Sequence, residues 1–173
     1  MRRAVAGTAI LAASALTGWT VAAAAPGADV VPCSIAIEQS PKPHVNGLRL
    51  VLGRIWLPRR TLQLGRRPGP GWDRFAKVGI VVRAGSPVVL EVPVRWRSVY
   101  SLEYVPKHIQ TVADGSRKLS VRACAGPLGR WSAYAGGYVV KRPVCVPLTV
   151  RADGRTTTVD VAIGRSCTPK TDG

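Results

Sequence analysis

Two alternating runs flank an Asp-Gly pair near the end of the chain, and they leave the backbone between residues 144 and 163 little choice. Val144, Val146, Leu148 and Val150 alternate with Cys145, Pro147, Thr149 and Arg151, ahead of Asp153-Gly154. Period two places the first set on one side of a strand and the second on the other. Asp-Gly between such runs favours a two-residue type I′ turn, which also sets the register. Val150 then faces Thr157, Leu148 faces Val159, Val146 faces Val161 and Val144 faces Ile163, all on one side.

The same alternation recurs upstream. From Val88 to Trp96 one parity reads Val88, Leu90, Val92, Val94 and Trp96, and the other Val89, Glu91, Pro93 and Arg95. Lys118 to Cys124 repeats it, with Leu119, Val121 and Ala123 inward. Further strands are expected at Ser34 to Gln39, Leu48 to Leu57, Phe75 to Arg83, Val99 to Val105 and Tyr138 to Arg142, between Gly, Pro, Asn and Asp. No helical period appears beyond the N-terminal 25 residues. The pattern predicts an all-β chain, an antiparallel β-sandwich Ig-like in style, with a small Greek-key β-barrel as the alternative. Residues 58–74, carrying Arg59, Arg60, Arg66, Arg67 and four Pro or Gly from 68 to 71, read as a long exposed basic loop.

The N-terminus supplies the context. Arg2 and Arg3 precede an apolar run from Ala4 to Val21, then Ala22 to Ala25 and Pro-Gly. That order of charge, apolar core and small residues is expected of a secretory signal peptide over 1–25 with its helical core, leaving one domain over 26–173. An uncleaved leader would instead be the domain's only hold on the membrane. Of 25 basic residues 19 are Arg, and loss of Arg2 and Arg3 leaves 23 basic against 9 acidic residues, a net charge of about +14. Inside a cell that charge would point to nucleic acid. Export redirects it to an anionic wall polymer, an acidic glycan, phospholipid headgroups or an acidic exported protein. A chain rich in Ala, Gly, Pro, Val and Arg also fits a GC-rich genome, which favours Arg codons whatever their chemistry.

Cys33, Cys124, Cys145 and Cys167 all follow the leader, and an even count in an exported chain reads as two disulfides. In the predicted hairpin Cys145 stands opposite Ala162, so Cys167 lies about 16 Å further along. A bridge needs Cα atoms within roughly 7 Å, which disfavours Cys145 with Cys167 unless the chain folds back. The expectation is Cys124 with Cys145 and Cys33 with Cys167, the alternative Cys33 with Cys145 and Cys124 with Cys167.

Motifs for chemistry are sparse. The chain has no G-x-S-x-G, H-E-x-x-H, S-x-x-K, P-loop or dinucleotide glycine pattern. Glu91 and Glu103 on neighbouring strand candidates could form a glycosidase-like pair, but among so many cations they read as ion-paired surface groups. His44 and His108 read as exposed loop or strand-end residues, and a Cys/His hydrolase built on Cys124 or Cys145 with His108 loses to disulfide formation. No metal or cofactor is expected. The candidate ligand surface combines cations with aromatics: Arg95, Arg97, Arg130, Trp131, Tyr134, Tyr138, Lys141 and Arg142. Aromatic faces stack on sugar rings and arginines hold anionic groups. Against this, a domain with one Phe must draw on Trp and Tyr for its core, which favours a core place for Trp131 and Trp96 and leaves the tyrosines evenly divided between core and surface.

Cys124-Ala-Gly, Trp131-Ser-Ala-Tyr134-Ala-Gly136-Gly137-Tyr138-Val-Val, Pro143-Val-Cys145-Val-Pro-Leu-Thr-Val and Ile163-Gly-Arg-Ser-Cys167 make up one further pattern. With Val81-Val-Arg-Ala-Gly-Ser-Pro-Val-Val-Leu upstream, it resembles small, uncharacterised exported proteins of actinobacteria. The resemblance covers residues 75–167. It implies an exported actinobacterial origin and a self-contained domain, and brings no activity, cofactor or site residue. The expected protein is a monomeric, non-enzymatic binder of anionic envelope polymer or glycan. The alternatives are an interaction module for another exported protein and, behind it, a hydrolase of unrecognised type.

Overall fold

The computed structural model describes residues 25–124 and 129–167. The signal peptide expected over 1–25 therefore lies outside the described residues, save Ala25. Thirteen strands follow one another among the described residues: β1 Asp29–Val30, β2 Ala36–Ser40, β3 Leu48–Val51, β4 Ile55–Pro58, β5 Arg74–Lys77, β6 Ile80–Arg83, β7 Val88–Glu91, β8 Tyr100–Glu103, β9 Lys118–Val121, β10 Trp131–Tyr134, β11 Gly137–Val140, β12 Val144–Ala152 and β13 Arg155–Ile163. They form an antiparallel β-sandwich in general style, with no closed barrel among the described residues. Among the described strands, β1 and β9 are the one pair that runs parallel.

The first layer has the order β1-β9-β7-β12-β13. Its anchor is the terminal hairpin, in the register that Asp153-Gly154 dictates: Val150 pairs with Thr157, Leu148 with Val159, Val146 with Val161 and Val144 with Ile163. Asp153 and Gly154 have φ of 48° and 72°, the two positive values of a type I′ turn.

The second layer is built on a bent ribbon. Strands β5 and β6 are one run interrupted at Val78-Gly79, and β10 and β11 one run interrupted at Ala135-Gly136. Arg83 pairs with Trp131 and Ile80 with Tyr134, then Lys77 with Gly137 and Arg74 with Val140, so no residue is gained or lost across the bend. The Val78 amide donates to the Gly136 carbonyl at 2.9 Å and carries the ladder through. One end of the ribbon adds β2, β4 and β3, and the other adds β8. Glycine is required here by close approach, since a Cβ on Gly136 would overlap the Glu103 carbonyl and the Tyr104 ring, and one on Gly137 the Ala76 carbonyl and the Phe75 ring.

Both layers meet in one core cluster, in which Val88, Leu90, Leu119, Val146, Leu148 and Val150 face Ile55, Leu57, Ile80 and Val82. With a single Phe in the chain, Tyr100, Tyr104, Tyr134 and Tyr138 supply the largest core side chains. Burial raises all four phenol pKa values, so the hydroxyls stay neutral donors. Tyr100 donates to the Pro147 carbonyl, Tyr104 to the Val78 carbonyl at 3.1 Å and Tyr134 to the Arg122 carbonyl at 2.6 Å. The Tyr138 hydroxyl is buried without a hydrogen-bond partner among the described residues. Tyr138→Phe is therefore expected to raise the unfolding free energy by about 1 kcal/mol, whereas Tyr100→Phe lowers it by a similar amount. Urea unfolding of the two variants checks this, and a loss in Tyr138→Phe would mean that buried water satisfies the hydroxyl.

Several expectations need correction. The alternating run from Val88 ends at Glu91: Pro93 leads into a 3₁₀ turn over Val94–Trp96, and Val94 stands 74% exposed where the parity placed it inward. Leu48 to Leu57 is a hairpin, not one strand, turning where Leu52 and Gly53 have φ of 51° and 70°. The basic connection over 58–74 is exposed at Arg59, Arg60 and Arg66 but tied down between them, because Leu62 bridges to Ile163 and Gly65 to Phe75.

Neither expected disulfide pairing is present. The bridges are Cys33–Cys124 and Cys145–Cys167, with Cα separations of 5.6 and 5.1 Å. Strand β7 lies between β9 and β12, so the segment reaching Cys124 is no neighbour of the one carrying Cys145. Cys167 returns to Cys145 because the chain leaves β13 through a turn at Gly164, whose φ is 66°. The first bridge fixes the segment between β1 and β2 to the segment that follows β9. Near it the Asp29 carboxylate accepts from Lys107 and Ser116, which hold its pKa below the usual value.

Candidate functional site

The arginines divide into those that hold the sandwich together and those that face solvent. Arg54, with 13% of its side chain exposed, donates to the Arg83 and Ser86 carbonyls at 3.3 and 2.6 Å and lies 3.6 Å from the Asp153 carboxylate. Arg49 donates to the Asp160 carbonyl and Arg155 to the Leu52 carbonyl, each at 2.6 Å. These three tie the β3–β4 hairpin to the β12–β13 hairpin. Arg67 binds the Glu103 carboxylate and the Ile109 carbonyl, with its guanidinium 4.5 Å from the Phe75 ring centre.

Apart from the exposed Asp160, the acids among the described residues are engaged in similar ways. Asp29 pairs with Lys107, Glu38 with His44, Glu91 with both Arg97 and Arg151, Glu103 with Arg67 and Asp153 with Arg54. Asp73 accepts the Val112 amide, and Asp114 accepts from Thr111 and Gln110. The excess charge is left on exposed residues such as Arg59, Arg60, Arg66, Arg95, Arg130 and Arg142, none of which forms an ion pair among the described residues.

The structure does not gather the eight candidate ligand residues into one patch. Tyr134 and Tyr138 are wholly buried and leave the candidate surface. Trp131 is half-buried on the outer face of β10, 6.2 Å from Trp56 and beneath the Arg83 guanidinium at 5.9 Å. Arg130 is exposed beside it, while Lys141 and Arg142 follow the far end of the β10–β11 run, about 30 Å away at strand rise. Arg95 projects from the 3₁₀ turn, and Trp96 packs half-buried against the core.

Arg97 and Lys141 do come together. Val140 pairs with both Arg74 and Tyr100, so Lys141 emerges at the end of the β5–β11–β8 sheet, beside Asp73 and the turn that carries Arg97. Here an open cleft of about 660 Å³ is lined by Arg97, Ser98, Lys141 and, from the segment before β9, Arg117, with Thr111 to Ala113 as one wall. Arg117 donates to the Tyr100 carbonyl at 3.0 Å. Partial burial, and then the neighbouring positive charge of Arg97, lower its pKa. Nothing in the sequence marked Arg117 out, since it sits in a polar Asp-Gly-Ser-Arg-Lys stretch typical of a surface turn.

The residues considered for catalysis are engaged elsewhere. Glu91 and Glu103 sit on β7 and β8 in different layers, each bound to arginine, so they do not face one another. His44 is exposed 3.5 Å from Glu38, and His108 is exposed against Gln110 and the edge of Trp72. All four cysteines are in disulfides, which removes the thiol that a Cys/His site would need. No group of three His, Cys, Asp or Glu residues among those described could hold a metal ion, and no described helix is long and apolar enough to cross a membrane. Compared with known proteins, the chain matches no family model and no curated sequence.

Proposed function

We propose that the protein is exported and acts without catalysis, binding an anionic polymer of the cell envelope or an acidic glycan through its charge. One observation carries this reading: among the described residues every acid but the exposed Asp160 is engaged in an internal pair or hydrogen bond, while arginines around the molecule remain unmatched. Two disulfides fit an oxidising compartment, as does the leader-like N-terminus. Part of this surface is aromatic, where Trp131, Trp56 and Arg83 lie together.

Purified protein is expected to stay on a teichoic-type or acidic-glycan matrix at low salt, with affinity falling at least tenfold between about 50 and 200 mM salt as bound counterions are exchanged. Failure to bind at low salt ends this reading. Binding that ignores salt would favour an apolar interface with another exported protein instead.

A further inference from the structure

We infer that the cleft between Arg97, Arg117 and Lys141 is a subsite for a single phosphate group, the unit that a phosphodiester polymer would present to it. This rests on the charge-driven reading above and gives it a location. Three cations reach the cleft from three separate elements: the turn after the 3₁₀ segment, the approach to β9 and the exit from β11. Convergence from three sides suits a tetrahedral oxyanion, whose oxygens point apart, better than a planar carboxylate that one arginine fork would satisfy.

The carboxylates nearby offset this group only in part. Glu91 lies 3.6 Å from Arg97 but divides its charge with Arg151 at 3.4 Å. Asp73, on the cleft wall, accepts the Val112 amide at 2.7 Å and forms no ion pair with Lys141. Lys141 and the Ser98 hydroxyl have no hydrogen-bond partner among the described residues, and Arg117 commits one nitrogen to the Tyr100 carbonyl, leaving its other donors available. Like charges held together with part of their hydration removed are a standing cost that a bound anion relieves. Arg117 is a fixed part of the frame, whereas Lys141 is an exposed arm able to close over the anion.

Inorganic phosphate, titrated against purified protein at constant ionic strength with acetate as comparator, tests this by calorimetry. Saturable phosphate binding in the millimolar range is expected, weakened at least tenfold in Arg117→Gln and in Lys141→Gln and unchanged in the variant of an exposed lysine remote in sequence, Lys42→Gln. Lys141→Gln touches no contact of the fold, so its result stands even if Arg117→Gln is destabilised. Phosphate binding that is absent, equal in Lys141→Gln, or matched by acetate overturns the subsite. The matrix experiment separates the two readings. Wild-type retention that persists undiminished in both cleft variants keeps general charge binding and discards the cleft, whereas cleft binding of phosphate without any matrix retention discards the polymer reading.

Discussion

Replacing Cys33 and Cys124 together with alanine is expected to lower the unfolding free energy by about 4 to 5 kcal/mol. The bridge joins residues 91 apart in sequence, and releasing so long a loop restores much freedom to the unfolded chain. Cys145–Cys167 spans 22 residues, and its removal is expected to cost about 3 kcal/mol. Against the 5 to 15 kcal/mol typical of a whole domain, roughly, either loss is severe. Because the two sulfurs of a bridge act as a unit, Cys33→Ala, Cys124→Ala and the double variant should give nearly equal losses in urea unfolding. Additive losses from Cys33 and Cys124 would mean that they are not partners.

The second large effect is expected from one added methyl group. In Gly137→Ala the new Cβ overlaps the Ala76 carbonyl and the Phe75 ring, within a ribbon paired on both sides. Neither neighbour can withdraw without parting strands, so a loss of about 3 kcal/mol or more is expected. Gly154→Ala is the useful contrast. Its φ of 72° strains any side chain, but nothing lies within 4 Å of the new Cβ, and about 1 kcal/mol is the expected cost. Thermal unfolding ranks the two, and a milder effect at Gly137 would show that the bend can open.

Where turn chemistry and alternation agreed, the fold was legible. Asp153-Gly154 specified both the turn and the partner of every residue from Val144 to Ala152. The β3–β4 turn was concealed because Leu52, a residue that seldom adopts positive φ, occupies its first position. Parity misled at Val94 because Pro93 ends the ladder, and it misled the disulfide argument by extending strands past their ends. Cys124 is three residues beyond β9, and Gly164 turns the chain just after β13.

The candidate surface was legible only in part. Arg97 and Lys141 meet although 44 positions separate them, because the end of the β5–β11–β8 sheet brings their segments side by side. Tyr134 and Tyr138 share the aromatic character of Trp131, yet their strand parity points into the core. No local pattern distinguishes an arginine that will cap a carbonyl, as Arg54 does, from one that will remain in solvent, as Arg59 does. That division depends on which loops happen to approach.

The bridges also carry information about assembly in time. They join the first cysteine to the second and the third to the fourth. As a chain emerges from its N-terminus, Cys33 waits alone until Cys124 appears, so the first thiol it can meet is its native one. Once those two have joined, Cys145 and Cys167 have only each other. Where bridging keeps pace with emergence, order of appearance selects the correct pairing from the three that four cysteines allow, and no mispaired bridge has to be broken and made again.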